Sequence, residues 1–186
     1  MPQFYFTVSS LPLLLLDADL TLTPESFVEL CKDQLPPSSF SEFEDAIKLE
    51  GITQNKTAAM LRLWTQSLKY ELARLRAQKL GWEFDVQYEV PYFQATETTA
   101  RESFNEESPL LAEEILNRAR WNYLEELEIG HYFDLEKLII YYFKLVLLIG
   151  KSLLTKPNGQ DQYELQYKTI TEKYIREEPE IAYDER

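Results

Sequence analysis

Three cations recur at a constant interval: Arg62, Lys69 and Arg76 stand seven residues apart. On a helix that spacing returns them to nearly one longitude. The chemistry open to them is ionic recognition of an acidic surface. Their setting is a charge reversal. The chain carries a formal charge of -13, yet residues 51–82 hold Lys56, Arg62, Lys69, Arg74, Arg76 and Lys79 against one acid, Glu71, a local +5 that leaves -18 elsewhere. The other use of the line is internal pairing with acids of a helix at Pro109–Ile129, where exposed pairs contribute only about 0–1 kcal/mol each. Leu63 and Tyr70 flank the line, so the candidate docking residues are Arg62, Lys69, Arg76, Leu63 and Tyr70. Other reactive types are sparse. His131 is the only histidine, without a companion Cys or His for zinc, and reads as a turn residue. Cys31, the only cysteine, falls on an apolar helical face, where a thiol packs. There is no glycine-rich phosphate loop and no Ser or Cys placed beside a base. No catalytic residue, metal or cofactor is expected from these patterns.

Asp17 and Asp19 are the one exception. The run Leu13-Leu-Leu-Leu16 followed by Asp17-Ala-Asp19-Leu-Thr21 resembles the first motif of haloacid-dehalogenase-like phosphatases. The resemblance implies a magnesium-dependent enzyme in which Asp17 attacks phosphorus and Asp19 is general acid and base. Leu20 stands where that family commonly has glycine, and no later paired-acid motif ends a further apolar strand. The phosphatase is therefore the alternative reading, and a lead-in to a helix is the preferred one.

The elements that would position these residues are helices. Gln3–Leu16 is ambiguous: Phe4, Phe6 and Val8 alternate like a strand, and Leu13–Leu16 fits a strand or a buried helix. Thr23-Pro24 starts a helix that Pro36-Pro37 ends. Ser41 and Glu44 fit a capping box for a short helix to about Leu49. Lys56–Leu80 is the clearest helix, closed by Gly81. Leu61, Trp64, Leu68, Leu72 and Leu75 form one apolar stripe on it, and Ala59, Leu63, Tyr70 and Ala77 a second. A short extended segment is expected near 84–92, then a long polar connection to Glu107. Ser108-Pro109 opens the next helix. Leu135–Leu154 is apolar almost all round and predicts the central buried helix. Tyr163, Tyr167, Ile170 and Tyr174 form the stripe of a last helix, which reads as core.

The expected architecture is all-α: one helical domain over 1–177 around the 135–154 helix, then an acidic, mobile tail at 178–186. At 186 residues, such a domain buries roughly 70% of the surface of its unfolded chain. A pI near 4.6 argues against nucleic acid or an anionic membrane as the main partner. No run is apolar enough to span a bilayer, and no basic leader precedes the first apolar run. These features predict a soluble cytoplasmic protein without direct membrane insertion.

The segments Phe4-Tyr-Phe-Thr-Val-Ser-Ser-Leu-Pro12, Thr23-Pro-Glu-Ser-Phe27 and Cys31-Lys-Asp-Gln-Leu35 resemble a small bacterial family of unknown function, whose genes tend to lie among those of V-type ATPases. Tyr123-Leu-Glu-Glu-Leu127, His131-Tyr-Phe-Asp-Leu-Glu136 and Leu138-Ile-Ile-Tyr-Tyr-Phe-Lys-Leu145 are similar to helices of the V-type ATPase central-stalk subunit, C in bacteria and d in eukaryotes. The resemblance implies a non-catalytic helical subunit or assembly adaptor, with V-type ATPase subunits as partners and a location peripheral to the membrane. A free-standing helical regulator of an unrelated partner is the remaining alternative.

Overall fold

The structure, a computed structural model, describes residues 4–17, 22–48, 54–84, 90–154 and 156–176. Among these residues the chain is all-α, with no strand: α1 (Tyr5–Ser10), α2 (Pro24–Gln34), α3 (Pro37–Ile47), α4 (Lys56–Leu80), α5 (Gln94–Asn105), α6 (Pro109–Glu128), α7 (Leu135–Leu153) and α8 (Lys156–Arg176). The chain divides into two compact units, Met1–Lys151 and Ser152–Arg186, a division that the sequence does not mark. The expected tail at 178–186 lies outside the described residues.

Capping explains where the long helices begin. The Thr23 side chain accepts from Ser26 N at 3.2 Å ahead of Pro24. The Asn55 side chain accepts from Ala58 N at 3.0 Å and starts α4, while Gly81, with φ of 68°, ends it in the left-handed region. In the first unit α7 is central: Leu138, Ile139, Ile140 and Leu145 are fully buried. Phe27 of α2 lies 4.9 Å from Tyr141 of α7 and meets Phe43 of α3 edge-on at 5.9 Å. Elsewhere in the same core Trp64 of α4 stacks on Tyr123 of α6, with centroids 4.8 Å apart. Burial around α7 is not complete, because Val146 is 43% exposed.

Four local expectations are corrected in the first unit. The N-terminal alternation is helical: Phe4 and Thr7 are buried and Val8 packs on the core, while Phe6 is exposed, so the buried positions step by three and one and not by two. Leu13–Leu16 is neither strand nor helix. It is a strap in which Leu11 and Leu14 face the core and Leu13 and Leu15 face out. The strap is held to α7, where Tyr141 Oη donates to the Pro12 carbonyl at 2.9 Å and Lys151 Nζ to the Leu16 carbonyl at 3.0 Å. Third, α3 begins at Pro37, four residues before the capping box at Ser41. Pro36 is extended because a proline follows it, and Pro37 takes the first helical position.

The fourth correction is α5, where the sequence pattern is a polar connection. Its buried face is Thr96, Thr99, Ala100 and Ser103, all small. Such a face has no large apolar residue to mark it, yet it lets helices approach closely. The Thr96 hydroxyl donates to the Phe93 carbonyl at 2.7 Å, so Ser67 of α4 donates to Thr96 Oγ1 across 2.7 Å. Most of the expected extended segment at 84–92 lies outside the described residues, and Phe84 and Val90–Tyr92 form no strand. In the second unit Tyr163, Tyr167 and Ile170 of α8 are exposed, which corrects their reading as core. No described helix is long and apolar enough to cross a membrane.

Candidate docking surface

The α4 helix places the five candidate docking residues as their spacing requires. Lys69 and Arg76 are exposed and Arg62 is half-buried beside them. None of the three makes an ion pair with a described residue. The acids of α6 that have partners find them elsewhere: Glu113 pairs with Arg120 at 2.7 Å, Glu125 accepts from Trp121 Nε1 at 2.8 Å, and Glu128 serves two lysines of α7. The single ion pair of α4 among the described residues is local. Arg74 donates to the buried Glu71 through Nε at 2.9 Å and Nη2 at 2.7 Å, and this hydrogen bonding holds the guanidinium pKa above its ordinary value. The second apolar stripe is only partly covered. Leu63 and Tyr70 are half-buried, and the Tyr70 ring lies 5.3 Å from Phe84. Leu80 and Trp82 are exposed at the carboxyl end of the helix.

The residues of the phosphatase alternative are placed differently. Asp17 follows the strap and no strand, and Lys151 holds it by a hydrogen bond that, with the lysine charge, lowers its pKa. Asp19 lies outside the described residues. The parallel sheet that would present the two carboxylates together is absent among the described residues.

His131 lies just before α7, beside Asp134, whose side chain caps that helix. Its Nδ1 lies 2.5 Å from Asp134 Oδ2, while Asp134 Oδ1 accepts from Lys137 N at 3.1 Å. Glu136 brings a third ligand-type atom within 4.8 Å of these two side chains. Both oxygens of Asp134 are already engaged, so the group fits a helix cap better than a cation site. Cys31 is fully buried, and burial pushes its thiol up to about 12, which leaves it unreactive.

A polar network that the sequence reading does not contain joins α6 to α7. Glu128 accepts from Lys137, and from Lys144 Nζ at 2.7 Å. The Lys144 side chain is only 8% exposed, inside the core face of α7. Burial opposes ionisation of Glu128, but the two lysines outweigh it and its pKa is lowered. The signal in the sequence is a lysine that interrupts eleven apolar residues, sixteen positions after a glutamate. Beside this network the strap borders an open cavity of about 360 Å³. Burial pushes the nearby Tyr141 hydroxyl up to about 12, so it remains a donor to the strap.

Comparison with models of known protein families, with curated proteins and with solved structures finds no match to this chain.

Proposed function

We propose that this chain acts by protein–protein docking, as a non-catalytic helical subunit or assembly adaptor, and that its partners are subunits of a V-type ATPase. One observation carries the docking reading. Arg62, Lys69 and Arg76 share a line on α4 and have no ion-pair partner among the described residues. In a chain of net charge -13 that line is a local field of reversed sign, which favours an acidic partner surface. The half-buried Leu63 and Tyr70 beside it supply apolar contact. The ATPase reading rests on the sequence resemblance at Phe4–Leu35 and on the segments that form α6 and α7.

The test is recovery of the tagged full chain from its own cells. The parent is expected to bring ATPase subunits with it. The variant Arg62→Glu/Lys69→Glu/Arg76→Glu is expected to lose them while keeping its fold. An ATPase isolated with full rotary activity and without this chain removes the ATPase reading. Capture of one unrelated protein in place of ATPase subunits assigns the chain to the regulator alternative. A folded triple variant that keeps its partner removes α4 as the docking surface.

A further inference from the structure

The strap cavity has about 360 Å³, inside the range of small-molecule sites, about 300–1,000 Å³. Its two sides differ in kind. Val8, Leu11, Leu13, Leu14 and Leu15 form an aliphatic wall, and Glu128, Lys137 and Lys144 a polar floor. We propose that this cavity binds a medium-chain carboxylate, with the anion on Lys137 and the alkyl chain against the strap leucines. The inference does not depend on the docking surface of α4.

Three observations carry it. An ammonium group has three N–H donors, and Lys137 Nζ gives one hydrogen bond among the described residues, to Glu128. Lys144 is closed off by Glu128 and by the Trp121 ring, so Lys137, which is more exposed, presents the unused donors. Next, Leu13 is 83% and Leu15 55% exposed although both line the cavity, so an alkyl chain laid along them removes apolar surface from water. Finally, the walls limit the ligand charge. Glu125 and Glu128 are balanced by Lys137 and Lys144 along the cavity, so a single carboxylate on the free donors of Lys137 adds one negative charge and meets less repulsion from the two glutamates than a dianion such as a phosphate monoester.

The experiment is a calorimetric titration of the full chain with decanoate. Saturable one-site binding is expected. Decanol, which has the tail without the charge, and acetate, which has the charge without the tail, are each expected to bind at least about tenfold more weakly. Lys137→Gln is expected to weaken decanoate by about tenfold with an unchanged melt. Leu13→Ser is expected to weaken it as well, and because Leu13 is exposed this variant still tests the site if Lys137→Gln does not fold. Absence of saturation overturns the proposal. So does equal binding of decanol and decanoate, or unchanged affinity in either folded variant. Binding to phosphatidylglycerol vesicles that free decanoate does not displace would assign the leucines to a lipid surface and also overturn it.

Discussion

The ammonium of Lys144 lies 4.9 Å from the centre of the Trp121 ring, and the same nitrogen donates to Glu128 Oε2 at 2.7 Å. One cation thus satisfies an aromatic face and a carboxylate of α6 from inside the central helix.

That arrangement makes Glu128 more costly to remove than Lys144. Glu128→Ala leaves Lys144 charged and buried without its partner, and is expected to destabilise the first unit by about 2–4 kcal/mol. Lys144→Met keeps an alkyl body on Trp121 and leaves Glu128 with Lys137, so it should cost under about 2 kcal/mol. Urea unfolding orders the two variants. The reverse order would show that the pair is not what holds α6 to α7 here.

The same carboxylate sets an acid limit. Its folded pKa lies below the ordinary 4.5, because the two lysines outweigh burial. The unfolded carboxylate therefore takes up its proton first as pH falls. The stabilisation is complete above pH 4.5 and is lost as pH drops through the folded value. The gap in melting temperature between the parent and Glu128→Gln should stay constant from neutral pH to about 5 and narrow below that. A gap independent of pH would mean that another group controls acid unfolding.

The packing of α5 predicts intolerance of bulk. Ala100 is fully buried on the small-residue face, so Ala100→Leu forces the neighbouring helices apart and should cost about 1–3 kcal/mol. Ala100→Ser, close in volume, should cost less. Chemical denaturation of both variants decides it, and a leucine variant as stable as the parent would mean the face is not tightly packed.

The central helix gives a harsher case. Ile140 is fully buried, and Ile140→Asp places an unpaired carboxylate in the core, at a cost of about 4 kcal/mol or more. The expected outcome is insoluble or unfolded protein. An unchanged thermal melt would contradict the placement of α7.

The basic line on α4 makes the opposite forecast. With no ion pairs to lose among the described residues, the Arg62→Glu/Lys69→Glu/Arg76→Glu variant should melt within about 1 kcal/mol of the parent. Association with its partner should be slower and less sensitive to salt. A large loss of stability would return these cations to a structural role.

How legible each element was depended on where its signal lies. The α4 helix has the limits expected from Gly81 and a leucine stripe, and the Asn55 cap found at its start is equally local, because such cues act within a few residues. The cations at 62, 69 and 76 share a face for the same reason. By contrast α5 is stabilised through Ser67, Thr96 and Ala100, whose value is their small size against a helix far away in sequence. The strap was illegible because tertiary bonds from Tyr141 and Lys151 hold its extended form. In the sequence Lys144 is only a charge inside an apolar run. Its partner Glu128 is local neither to a turn nor to a heptad, so no pattern announces the pair.

The strap also imposes an order of events in synthesis. Pro12 and Tyr141 are 129 residues apart, and Leu16 and Lys151 are separated by 135. At about 5–20 residues per second, roughly ten seconds pass between translation of the strap and emergence of the helix that receives it. Through that interval Leu11 and Leu14 have no core to enter, and the leucine run is an open ligand for a holding chaperone. Docking of the strap is a late step that closes the first unit only after α7 exists. Released chains that end before residue 141 should expose this run to protease, and chains extended past 151 should protect it.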